Sequence, residues 1–392
     1  MALTQLGEIS LSDFFENYWQ KKPCLIRNGL ANWENPLFPD ELAGLALEED
    51  VESRLVLELD DGKPWQLKAG PFSEEDFNQL PDTGWTLLVQ AVDHWVPEVT
   101  ALLDQFRFLP NWRLDDIMVS YAPDGSSVGP HFDFYDVFLI QGFGKRRWQL
   151  GQTCDENSEK VEGTPLNILR DFDCREEFIL EPGDILYVPP QIAHWGIAEG
   201  ECMTYSVGFR APSHAEIIDD FAAEVCQSLP DHLRYQDSAI QTSSTPGVID
   251  TKTIETLGHI IQSHLNNPAQ LAQWFGKYMT EPKYDPDAGQ VNQPSKDDIA
   301  QAQAELVEHD GALFQAPDAR FACHQTILFV NGKSYHCGPE LAFELANNRA
   351  IPNWHEHRAN ADSHRLLLTL VASGALWLED PLEPSGDEFD DE

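Results

Sequence analysis

Basic residues are scarce in this 392-residue chain: 25 lysines and arginines stand against 66 aspartates and glutamates, a formal net charge of -41. A protein that grips phosphate backbones needs a basic face, so the balance argues against nucleic acid and anionic membranes and for basic partners. Paired cysteines are lacking as well. The seven present (Cys24, Cys154, Cys174, Cys202, Cys226, Cys323 and Cys337) are odd in number and contain no C-x-x-C pair. That excludes a disulfide framework or a zinc site and points to reduced thiols in a cytoplasmic protein. No window holds eighteen consecutive apolar residues, and the first residues show no basic flank ahead of an apolar run, so neither a membrane span nor an export signal is expected. Internal repeats are absent too. What is present is 42% hydrophobic residues in a length that exceeds one ordinary core, which predicts two or three globular domains.

Three textures follow one another. From Ile117 to Arg210, short β-rich runs (IMVSYA, YDVFLIQ, RRWQLG, EFILEPGDILYVPP, CMTYSVGFR) alternate with Gly and Pro turns, the pattern of an antiparallel sandwich or barrel. At Ser213-His-Ala-Glu216 a capping box opens a helix, with Ile217, Ile218, Phe221, Ala222 and Val225 at helical spacing. Further helices are expected over Thr253 to Leu265, from Asn267 with Pro268 at the first position, and from Ser295. The polar stretches QDSAIQTSSTPG and TEPKYDPDAGQ read as loops. After His309, a hairpin turning on Asn331-Gly332 and helices over PELAFELANN and HRLLLTLVASG make a winged-helix-like set. That region carries fifteen acids and five bases from Val307 onward, so DNA reading by it is not expected.

Chemistry concentrates in Gly129-Pro-His131-Phe-Asp133 and in His194, which ends Val188-Pro-Pro-Gln-Ile-Ala-His194. Along a strand, residues i and i+2 face one side, so His131 and Asp133 can enter one cavity. Pro-Gly, a four-residue apolar strand and Pro-Pro then deliver His194 to the mouth of a barrel. Two imidazoles and one carboxylate on a single face leave the opposite coordination positions open, as in non-haem Fe(II) oxygenases. Beyond them, a Gly142-Phe143-Gly144 turn is expected to send the chain back antiparallel. Lys145, Arg146 and Arg147 follow, and alternation lets only one parity face inward, where a guanidinium can hold a carboxylate bidentately. His355-Glu-His357 has the look of a second metal pair without a third ligand, and His94 reads as structural.

Four stretches, FFENYWQKKPCLIRNG, GPHFDFYDVFLIQGFGKRRWQLG, EPGDILYVPPQIAHWG and YSVGFRAPS, resemble the JmjC-type 2-oxoglutarate oxygenases of the ribosomal oxygenase group, most closely its bacterial members. The resemblance implies an α+β chain with a double-stranded β-helix (cupin/JmjC jelly-roll) catalytic domain over 1–212. A helical dimerisation domain over 213–308, a winged-helix-like domain over 309–379 and an acidic tail over 380–392 follow. It places Fe(II) on His131, Asp133 and His194, and selects Arg146 for the distal carboxylate of 2-oxoglutarate with Ser120 beside it. Dioxygen is the second cosubstrate. Gln191 departs from the broader cupin pattern, which has glycine there.

The implied reaction is hydroxylation of an arginine side chain in a basic large-subunit ribosomal protein, number sixteen, by a homodimer. A net charge of -41 suits capture of such a substrate. A cationic side chain entering the cavity needs a carboxylate near the mouth: Asp124 is the candidate, though a turn-forming role before Gly125 competes with it. Phe143 is positioned to pack on the guanidinium plane. Asp136, by parity from Asp133, is expected on the opposite face. Two alternatives use the same residues: an N-methyl-lysine demethylase, and a non-catalytic metal-binding scaffold.

Overall fold

The computed structural model describes residues 2–58, 65–236, 246–284 and 293–382. The expected acidic tail lies outside them from 383 onward, as do 237–245 and 285–292 of the two polar stretches.

Nine strands form one antiparallel sheet. They are β1 (Cys24–Ile26), β2 (Ser53–Leu57), β3 (Gln66–Ala69), β4 (Trp85–Val89), β5 (Leu114–Ala122), β6 (Val137–Thr153), β7 (Glu176–Leu180), β8 (Ile185–Val188) and β9 (Ile192–Phe209). Their order is β1-β8-β6-β9-β5-β4-β2-β3, with β7 also on β6. The long strands β6 and β9 pair through both halves of the fold, while β8 takes the Val137–Ile140 half of β6 and β7 the Arg146–Leu150 half. This is the double-stranded β-helix that the resemblance implies.

One expectation fails here. Gly142-Phe143-Gly144 does not turn the chain back; VFLIQ and RRWQLG are parts of one continuous strand. The glycines instead admit the crossing strand. A Cβ on Gly144, whose φ is +63°, would stand 1.9 Å from the Glu201 carbonyl oxygen, just where the β6–β9 register shifts.

Strand parity divides the walls. Val137 and Leu139 face the barrel cavity, while Phe138 and Ile140 face the outer core. There the ring of Phe138 meets Phe14, Tyr187 and Phe106 at centroid distances of 5.6, 5.0 and 5.1 Å. Burial of each such ring stabilises the fold by about 2–3 kcal/mol. Asp136 is fully buried on that outer side, as expected, although 132–136 are not a strand and parity from Asp133 does not carry it there. It accepts hydrogen bonds from the Tyr187 hydroxyl (2.6 Å), Gln20 Nε2 (3.0 Å) and Arg113 Nη2 (3.0 Å).

Helices His214–Ser228, Thr251–Leu265 and Pro268–Thr280 follow, the first with its capping box and the last with Asn267 as cap. Phe221, Val225 and Trp274 make their small core. Helix Lys296–Glu308 was expected to belong with them. Its Ala302 and Leu306 instead pack into the C-terminal core of Leu313, Phe321, Leu328, Leu345, Trp354 and Leu367, and helix Pro268–Thr280 also lies against that module, with Gly276 close on the Phe329 ring, so packing does not break at 308. The Asn331-Gly332 hairpin forms as expected, both residues having positive φ (47° and 75°).

Candidate active site

His131 and His194 face each other across a bridge made by the main chain. The His131 N–H donates to the His194 carbonyl (3.1 Å) and the His194 N–H to that of His131 (2.8 Å), which sets the rings 4.3 Å apart. Only this bridge is regular; Phe132 to Tyr135 are not a strand, yet His131 and Asp133 both reach the cavity. Each Nδ1 lies against a carbonyl of its own chain two residues back, Gly129 at 2.9 Å for His131 and Ile192 at 3.0 Å for His194. That contact favours the tautomer that leaves both Nε2 atoms free as donors to a metal. His194 Nε2 is 3.6 Å from Asp133 Oδ2, and the ligand atoms of all three residues lie within 4.8 Å of one another. Burial, and then the neighbouring His131, hold the His194 imidazole down to about 4, so it is neutral and ready to ligate at neutral pH.

At Gln191 the backbone shows why the cupin pattern has glycine, though nothing in it explains the glutamine. The residue sits at φ +69°, a region that favours glycine, while its N–H donates to the Asp133 carbonyl and its own carbonyl accepts from Cys154, both at 2.7 Å. A strained residue thus ties down the ligand loop.

Beyond the triad, alternation on β6 turns Arg146 inward. Lys145 and Arg147 point out to Glu181 and Glu199. Arg146 is 5% exposed, and its Nη1 donates to Ser120 Oγ at 3.1 Å, whose hydroxyl lies 3.4 Å from the Thr204 carbonyl. Its Nε and Nη2, and Nε1 of Trp148, are buried without a partner. A buried guanidinium with idle donors is costly unless an anion completes it. The donor set therefore fits a carboxylate, and the triad fits a divalent cation.

The cavity holding both measures about 750 Å³, with room for more than a small diacid. Asp116, Met118 and Ser120 of β5 line it on one side and Trp148 and Tyr135 on others. Trp148 and Met118 could have been found in the sequence, since they stand two places from Arg146 and Ser120. Tyr278, Met279 and 281–284 also line it, and nothing in the sequence announces them.

Two substrate-side expectations are not met. Asp124 is exposed, outside the cavity wall, in the turn that the Ser126 N–H closes on the Pro123 carbonyl (3.1 Å), and its Oδ1 also accepts the distant Gly200 N–H at 2.7 Å. Phe143, 40% exposed at the Gly-Phe-Gly bend, is also outside the wall, because the strand runs on rather than reversing at a tip. His355 and His357 do not converge on a metal: His355 Nε2 lies 3.2 Å from the His309 carbonyl, and His357 Nε2 lies 2.9 Å from Glu344. His94 packs beside Tyr284, 6.0 Å between rings, away from the triad.

A β-helix barrel with two histidines and a carboxylate on one wall, and an unpaired arginine behind them, defines the JmjC-type class. Residues 101–217 match the JmjC domain, and residues 263–377 match the ROXA-like winged helix. The chain is 42% identical over 376 residues to the ribosomal protein uL16 3-hydroxylase of Escherichia coli, covering 94% of this chain and 97% of that one. A crystal structure of E. coli YcfD aligns with a TM-score of 0.83 at 35% identity, over 96% of this chain and all of the other. The structure of YcfD in complex with cobalt and 2-oxoglutarate gives 0.81 at 35% identity over 95% and 99%. This chain belongs to the bacterial ribosomal oxygenases of the JmjC family.

Proposed function

We propose that this chain is an Fe(II)- and 2-oxoglutarate-dependent hydroxylase of a large-subunit ribosomal protein, uL16, acting on an arginine side chain. The observation that carries the reading is the pairing of the His131, Asp133 and His194 cluster with a buried, unsatisfied Arg146 in one cavity. His131, Asp133 and His194 would hold the metal, and Arg146 with Ser120 would hold the far carboxylate of 2-oxoglutarate. Together the bound groups supply oxidative decarboxylation with dioxygen, coupled to hydroxylation of a C–H bond. The chain's own share is orientation and exclusion of water: carbonyls fix both imidazoles, and Trp148 and Leu139 wall the site. The net charge of -41 supports a basic polypeptide as substrate and argues against DNA for the winged-helix-like module. Among the described residues, no helix is long and apolar enough to cross a membrane. We place the activity in the cytoplasm, with the ribosome.

The test is intact-mass analysis of ribosomal proteins from cells with and without the gene. A gain of about 16 Da, one oxygen atom, on uL16 alone is the expected result. Formaldehyde release from methylated peptides, with no added oxygen on any ribosomal protein, would overturn it.

Homodimerisation is read from helix Thr251–Leu265, which has no buried residue and shows Ile254, Leu257 and Ile261 at 57, 41 and 57% exposure on one face. Such an apolar stripe belongs against another surface. Replacing Ile254 and Ile261 together by Glu is expected to weaken dimerisation roughly a hundredfold or more, since each isoleucine contributes about 1.5–3 kcal/mol when covered. Sedimentation equilibrium reads the change, and an unaltered dimer would sink this assignment.

A further inference from the structure

An acidic winged-helix-like module needs another task, and its junction with the barrel shows one. Strand β5 is paired on both sides only from Val119 onward. Its Leu114–Met118 segment keeps β9 at Leu114, Ile117 and Met118, across a register shift, but has no β4 partner. Side chains serve that bare edge instead. Asp93 Oδ1 accepts the Ile117 N–H at 2.7 Å, and Arg320, from the C-terminal module, donates to the carbonyls of Leu114 (2.9 Å) and Asp115 (2.6 Å) and to Asp115 Oδ1 (3.1 Å). The same Asp115 gathers the opposite wall. Lys283 reaches its Oδ2 at 2.7 Å, and Arg210 reaches Oδ1 at 3.1 Å while also donating to the carbonyls of Met279 (3.2 Å) and Glu281 (2.8 Å). Burial works to raise the Asp115 carboxyl, but Arg320, Lys283 and Arg210 outweigh it and hold it below its ordinary value. Asp116 and Met118 on the braced segment and Glu281 to Tyr284 on the anchored one are cavity wall.

We propose that the C-terminal module braces the substrate side of the cavity, and that Arg320 is the positioning residue through which it does so. The proposal rests on the hydroxylase reading for its kinetic half only. Arg320 touches neither triad nor Arg146, so it shapes where the polypeptide lies and leaves the cosubstrate pocket as it is.

The experiment compares hydrogen exchange and kinetics of the full-length wild type, Arg320→Met and Arg320→Lys. In Arg320→Met, amide protection over 115–118 and 279–284 is expected to fall about tenfold or more, with Phe138–Ile140 unchanged. The KM for the ribosomal polypeptide is expected to rise about tenfold, while the KM for 2-oxoglutarate, read in turnover without polypeptide, stays within about twofold. Arg320→Lys keeps the charge but cannot serve both carbonyls, so it falls between; it carries the comparison alone should the methionine variant not fold. Unchanged protection over 115–118 overturns the brace. So does lost protection with an unchanged polypeptide KM, which would mark a merely structural contact. If the wild type hydroxylates no ribosomal polypeptide, the hydroxylase reading fails while the exchange data still decide the brace.

Discussion

Replacing His131 with alanine is expected to remove turnover of both 2-oxoglutarate and polypeptide, by more than about a thousandfold. The reason is local. Three ligand atoms within 4.8 Å hold an ion together, and two of them leave it weakly bound and misplaced. The fold should survive, because the link between His131 and His194 is made by their main chains and does not need the imidazole. Metal-dependent stabilisation separates the two effects. With Mn(II) at about a hundred times its Kd, the wild type should gain about 2.7 kcal/mol against unfolding and the variant none. Equal stabilisation of both proteins, with turnover retained, would remove His131 from the metal site and the triad from the mechanism.

Arg146→Met should weaken 2-oxoglutarate binding roughly a hundredfold or more, as truncating one member of a buried charge pair does. Stability of the ligand-free protein should move the other way. Arg146 keeps two buried nitrogens without partners, so methionine of similar length removes a desolvated charge and adds apolar packing beside Trp148, whose ring lies 5.8 Å from the guanidinium carbon. Arg146→Lys is expected to lie between, keeping the charge but losing the fork that matches a carboxylate. Titration calorimetry of 2-oxoglutarate with Mn(II) present, and thermal melting without either, read the two halves. A variant that binds 2-oxoglutarate like the wild type would place the cosubstrate elsewhere.

How much of this was legible in the sequence divides along the range of the interactions. His131, Asp133 and His194 were visible because ligand chemistry is written in residue type, and a Pro-bounded strand announces where the second histidine emerges. Arg146 needed the family resemblance as well, since alternation alone left Lys145 and Arg147 open. The structure then shows why parity had to choose it: Glu181 and Glu199 hold its neighbours on the outside. Gly142-Phe143-Gly144 misled because glycine serves a turn and a close strand crossing equally well, and only the position of Glu201 tells which. Phe143 belongs at the cavity only if that turn forms, whereas Asp124 was a candidate as a carboxylate on the loop leading to His131.

By itself, and through its family motifs, the sequence determined the reaction class, a candidate ligand triad, the capped helix starts at Ser213, Asn267 and Ser295, and the hairpin, while it put one helix start at Thr253 where the helix begins at Thr251. Apart from the 63 positions between His131 and His194, these depend on residues within a few positions of one another. Tertiary structure alone decided that helix Lys296–Glu308 joins the C-terminal core, that Gln191 bears a left-handed conformation, and that Asp115 collects Arg210, Lys283 and Arg320. Those partners are separated by up to some two hundred residues. Their meeting follows from how whole layers pack, which no local pattern records.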